Sequence, residues 1–117
     1  MNKVTFPVFQ LLQPGVAIEG DWCNFPIPIN MEVGENSVID SSSAFKKFFS
    51  TRQPGLKIGK NVTLQNPALA TEENGYIEIG DYCFISGAAI IATTDIVIGN
   101  HVFIAGGVTI VDSDFHP

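Results

Sequence analysis

Two carboxylates and an imidazole stand at alternate positions in the closing stretch V-D-S-D-F-H-P: Asp112, Asp114 and His116. Imidazole titrates near physiological pH, so it can take a proton from a hydroxyl and pass it on. Pro117 biases the backbone of His116 toward extended conformations, which lets the ring project from the edge of an element. Three readings of the carboxylates stay open at this level: orienting the imidazole, holding acceptor hydroxyls, or keeping the loop solvated. By itself such a histidine is more often an idle surface residue, so its meaning depends on the elements that carry it.

Those elements are a repeat. L-K-I-G-K-N-V-T-L (56–64), I-E-I-G-D-Y-C-F-I (77–85) and I-V-I-G-N-H-V-F-I (96–104) share one pattern, and M-E-V-G-E-N-S-V-I (31–39) is a fourth copy. Aliphatic residues recur every six positions: Ile79, Ile85 and Ile91 in one run, Ile98, Ile104 and Ile110 in the next. Four residues after each comes a second inward candidate, usually small, as at Val62, Ala68, Cys83, Ala89, Val102 and Val108. Neither a helix nor a lone amphipathic strand has this period. It predicts a parallel β-helix of triangular coils, each of about 18 residues, in which a large side chain fills each corner. The Gly after each aliphatic marks the corner, where a backbone without Cβ can take a positive φ and approach the next coil closely. Gly34, Gly59, Gly80 and Gly99 lie 25, 21 and 19 residues apart, and the surplus between Gly34 and Gly59 falls in S-S-S-A-F-K-K-F-F-S-T-R-Q-P-G. Residues 1–30 break the period and read as an N-terminal cap or arm, with Trp22 and the phenylalanines assigned to cap and core; residues 31–117 form the repeats.

With 117 residues, 45% hydrophobic and 15% charged, the chain has the material for one packed domain. Its net charge of −6 argues against nucleic acid, whose binding depends on neutralising phosphates. The six basic residues all fall within the first 60 positions, so an anionic ligand of the C-terminal half must find its cations elsewhere. No run reaches the length of a membrane span, no signal segment is recognisable, and Cys23 and Cys83 make no disulfide framework. A cytoplasmic protein is expected, with no membrane partner. A-G-G-V (105–108) is a turn of the coil rather than a phosphate loop, since no Lys follows it.

I-G-D-Y-C-F-I, I-G-N-H-V-F-I-A-G-G-V-T-I and D-S-D-F-H-P together resemble the hexapeptide-repeat acyltransferases, most of all the galactoside, maltose and xenobiotic acetyltransferase branch. The resemblance covers residues 31–117. It implies an all-β fold, a left-handed parallel β-helix, and homotrimers with active sites in the clefts between subunits. It also implies acetyl-CoA as acyl donor, no required metal, and O-acetylation of a sugar or related small molecule. His116 falls at the catalytic base, Asp112 and Asp114 at acceptor-side positions, and Ser86, one coil earlier, at a position where relatives often carry an acceptor-binding polar residue. Relatives continue through further coils that build much of the CoA surface. The expectation is therefore a chain lacking those C-terminal coils and impaired or inactive in this short form. Two other readings accompany this one: a non-catalytic β-helical binding or assembly module, and a zinc enzyme like the γ-carbonic anhydrases. The latter needs three histidine ligands, where this chain has only His101 and His116. His101 itself is expected at the surface or at a trimer interface.

Overall fold

The computed structural model describes residues 9–112. The strands carry their inward aliphatic residues at alternate positions, as in L-K-I (56–58) and I-E-I (77–79), because alternate side chains of a strand share one face. In chain order they are β1 (Gln10–Leu11), β2 (Met31–Val33), β3 (Val38–Ile39), β4 (Leu56–Ile58), β5 (Thr63–Gln65) and β6 (Ala68–Thr71), then β7 (Tyr76–Ile79), β8 (Phe84–Ser86), β9 (Ala89–Ala92), β10 (Asp95–Ile98), β11 (Phe103–Ile104) and β12 (Thr109–Val111). One 3-10 turn, Ser42–Phe45, lies between β3 and β4.

These short strands stack into three parallel walls: β2-β4-β7-β10, β3-β5-β8-β11 and β6-β9-β12. The chain visits the walls in rotation, so it winds as a parallel β-solenoid of about four turns. Met31 pairs with Leu56, Leu56 with Ile77 and Ile77 with Ile96, so successive coils advance by 25, 21 and 19 residues, the same steps as the glycine spacing. In the first coil the 3-10 turn stands where later coils place β6 and β9, and Phe48 bridges to Thr71 beyond it. The surplus residues of that coil go here.

The core is one column of inward side chains, among them Leu56, Leu64, Leu69, Ile77, Ile85 and Ile90, all fully buried. Burying such a side chain is worth about 1.5–3 kcal/mol, and here every coil contributes several. Ser37 occupies the small inward position that Val62, Cys83 and Val102 fill in later coils. Its buried hydroxyl donates to the Gly59 carbonyl at 2.6 Å and accepts from the Val62 amide at 3.1 Å, so no polar group is left unpaired there.

Three expectations need correction. The first concerns phase in the third wall. Leu69 and Ile90 point inward and pair with each other, whereas Ile91 is 36% exposed and Ala68 is exposed. From Leu64 to Leu69, and from Ile85 to Ile90, the step is five residues instead of six. Asn66 (φ 48°) and Gly87 (φ 63°) turn those corners in the left-handed region, and the strand begins one residue early. A one-residue slip reverses every side chain after it, so Ala88 takes the small inward place expected of Ala89.

The second correction concerns the repeat glycines. Gly34, Gly59 and Gly80 are not at positive φ; the left-handed positions are two residues on, at Asn36, Asn61, Tyr82 and His101. What excludes a side chain is proximity. A Cβ on Gly59 would lie 2.3 Å from Asp81 Oδ1, and one on Gly80 2.3 Å from Asn100 Oδ1. Those side chains fold back to accept from the amides of Lys60 and Asp81, at 3.0 and 2.7 Å, tying each coil to the one before.

The third concerns Trp22, which is 95% exposed and belongs to neither cap interior nor core. It sits in the turn that the Asp21 carboxylate organises by accepting from the amides of Cys23 and Asn24. Asp21 also accepts from Ser41 and Ser42, at the start of the 3-10 turn. Burial alone would raise its pKa, but these hydrogen bonds outweigh that and hold it below the usual carboxylate range. In the same N-terminal stretch β1 pairs antiparallel with β3, and Leu12, Ile18 and Ile27 join the core.

Candidate functional site

Of the acidic and imidazole groups in the closing stretch, the structure describes Asp112; Asp114 and His116 lie outside the described residues. Asp112 directly follows β12, on the uppermost described coil. Its carboxylate reaches down to the corner of the coil below. Oδ1 accepts from the Thr93 amide at 2.7 Å and the Thr93 hydroxyl at 3.0 Å, and Oδ2 from the Thr94 amide at 2.7 Å and the Thr94 hydroxyl at 2.9 Å. Partial burial opposes ionisation here, yet the four donors prevail and lower the pKa to about 2. At neutral pH the group is a fixed anion. With two donors on each oxygen, it holds the backbone in place and has little capacity left to bind a ligand.

Ser86 ends β8, half-buried, with its hydroxyl 3.5 Å from Gln65 Oε1, a long contact. It belongs to the β3-β5-β8-β11 wall, while Asp112 follows the β6-β9-β12 wall. The corners they occupy are separated by the length of β9, roughly 13 Å of extended chain. Within one chain the two do not meet.

His101 lies at the surface with φ 58°, stacked on Tyr82 with ring centroids 5.2 Å apart and planes 2° from parallel. The Lys60 ammonium sits 5.6 Å from the Tyr82 centroid on a ring of the same ladder. Two residues along, Phe84 and Phe103 stack at 5.1 Å, and Phe103 is 70% exposed. The sequence repeat brings these pairs together: Tyr82 and His101 hold one repeat position, Phe84 and Phe103 another, and like positions in successive coils lie one above the other. Cys83 is buried with its thiol 3.1 Å from the Gly99 carbonyl, and Cys23 is exposed; neither is bonded to the other.

A second polar group lies on another wall. Arg52 pairs with Asp95 and lies 4.9 Å over the Tyr76 ring, whose hydroxyl donates to Glu78 Oε1 at 2.6 Å. Burial, then the neighbouring Glu78 carboxylate, pushes the Tyr76 pKa up to about 12, so the phenol stays neutral and works as a donor. Among the described residues no group of three or more His, Cys, Asp or Glu is placed to hold a metal ion.

The residues that sequence reasoning missed are Thr93 and Thr94. The pair T-T carries no repeat signal, and only the stacking of coils reveals that two hydroxyls lie beneath Asp112. The chain matches no protein family, no curated protein and no solved structure. Among the described residues no helix is long and apolar enough to cross a membrane.

Proposed function

We propose that this chain is a β-helical, cytoplasmic, acetyl-CoA-dependent O-acetyltransferase acting on a hydroxyl of a saccharide or related small molecule. The proposal takes the coils as left-handed and the working form as a homotrimer. The observation that carries the reading is Asp112: a solenoid of hexapeptide repeats ends its uppermost described coil on a carboxylate anchored at four points, immediately before S-D-F-H-P. In this mechanism His116 removes the acceptor proton as the hydroxyl oxygen attacks the thioester carbonyl. The C–S bond breaks, and the departing thiolate of CoA takes the proton from the imidazolium. Asp112 sets the path of the chain ahead of His116. Asp114 is then the carboxylate free to hold the imidazole or an acceptor hydroxyl, and Ser86 takes part from a neighbouring subunit.

A non-catalytic assembly module is the second reading, and the exposed Phe84–Phe103 stack favours it, because large exposed apolar groups commonly mark interaction surfaces. Thermal unfolding with and without acetyl-CoA separates the two. A functional donor site stabilises the fold by about 2.7 kcal/mol at a hundred times Kd, so the melting temperature rises with ligand concentration. A melting temperature that rises saturably with acetyl-CoA decides for the transferase and against the module.

A further inference from the structure

The segment after the 3-10 turn extends the β6-β9-β12 wall at its β6 edge, parallel to β6 at the Phe48–Thr71 bridge. The Phe49 amide donates to the Thr71 carbonyl at 3.3 Å, and the Thr71 amide to the Lys47 carbonyl at 3.1 Å. Beside this junction, over the outward residues of β6 and β9, lies a groove of about 310 Å³. Its floor is made by the outward residues Ala68 and Ala70 of β6 and Ala89 and Ile91 of β9, and Lys46 and Lys47 stand at its rim.

The phase slip in this wall creates the floor, since it turns Ala68, Ala89 and Ile91 outward. Along a strand such residues are about 7 Å apart and adjacent strands about 4.8 Å, so four small or aliphatic side chains make a flat, narrow apolar strip. Both lysines are exposed, and neither forms an ion pair among the described residues, where Arg52–Asp95 is the one such pair. In a chain of net charge −6, two adjacent cations at the mouth of an apolar groove favour an anion with an apolar body. Ser43 is the one neutral polar side chain in the lining, which provides little for the many hydroxyls of a sugar or the extra oxygens of a phosphate.

We propose that this groove binds an unbranched aliphatic carboxylate, with the hydrocarbon on the alanine floor and the carboxylate between Lys46 and Lys47. The site uses no residue after Ile91 and does not rest on the transferase reading.

Titration calorimetry with decanoate below its micellar concentration tests it, with acetate, decanol and decyl phosphate as comparators. Saturable 1:1 binding of decanoate is expected, with affinity gained about fourfold per methylene from shorter homologues and no heat from acetate. Lys46→Glu with Lys47→Glu lowers affinity at least tenfold. Ala70→Leu, which fills the floor, removes binding without changing the circular dichroism spectrum. Absence of decanoate binding, or binding unaltered in both variants, overturns the site. Decanol or decyl phosphate binding as tightly as decanoate overturns the carboxylate assignment.

Discussion

The second and third full coils and the uppermost described coil are written in the same repeat but sit in different surroundings. Ile77, Ile79 and Ile85 are completely enclosed, while their counterparts Ile96, Ile98 and Ile104 retain some exposure. Ala88 is 2% exposed and Val108, one coil up, 41%. Gly59 and Gly80 are overlain by the next coil, whereas a Cβ on Gly99 would meet nothing within 4 Å among the described residues. The difference teaches that a repeat position has no fixed energetic value. Its worth comes from the coil stacked upon it, as expected where stability is a sum of nearest-neighbour interfaces.

Substitutions at matched positions sharpen this comparison. The largest effect is expected within the third wall, where Ile90→Ala opens a cavity in a fully enclosed site and costs about 2–5 kcal/mol by chemical denaturation. Ile91→Ala, one residue away and facing out, should stay within about 0.5 kcal/mol of the parent. Equal losses at the two positions would show that the strand phase is not the one described.

Next in size is the glycine pair. Gly80→Ala drives a methyl against Asn100 Oδ1 and the Gly99 backbone and should cost roughly 1–3 kcal/mol. Gly99→Ala meets open space at a φ outside the left-handed region, and should be neutral or stabilising by about 0.4–1 kcal/mol through the unfolded chain. Comparable destabilisation by both would mean that the upper coil is covered like the others.

The smallest effect belongs to Asp112. Asp112→Ala removes the acceptor for four donors at a half-exposed corner and should cost about 1 kcal/mol at neutral pH. Because the native pKa, about 2, lies below the ordinary aspartate value of 3.8, the wild-type carboxylate stabilises the fold fully above pH 4. That contribution is lost as pH falls toward 2. An acid-unfolding profile of Asp112→Ala should therefore converge on that of the wild type below pH 2. Parallel profiles down to that pH would show that the carboxylate is not clamped.

Much of this architecture was legible in the residues. The steps between Gly34, Gly59, Gly80 and Gly99 are the strand registers, because a solenoid converts sequence period directly into stacking. The phase of the third wall was not legible, since Ile90 and Ile91 are adjacent and alike, and only the tight corner at Gly87 selects between them. The sequence singled out the glycines and their close approach to the next coil; the positive φ was wrong, and the Asp81 and Asn100 side chains that exclude a Cβ were not legible because they come from that next coil. At the site, D-S-D marked Asp112 as worth attention, but its partners Thr93 and Thr94 are nearly 20 positions away in an unremarked stretch. Ser86 and Asp112 share a coil step in the repeat yet stand at different corners, which is information that a one-dimensional pattern does not hold.

The role proposed for His116 is that of general base in acetyl transfer. Its most direct measurement is acetyl-CoA-dependent O-acetylation of saccharide acceptors by the protein and by His116→Ala, with melting temperatures recorded for both. Whatever rate of transfer the parent shows, even a weak one, should fall roughly 10²–10⁴-fold in kcat for the variant at unchanged stability; undiminished turnover by His116→Ala would contradict the assignment.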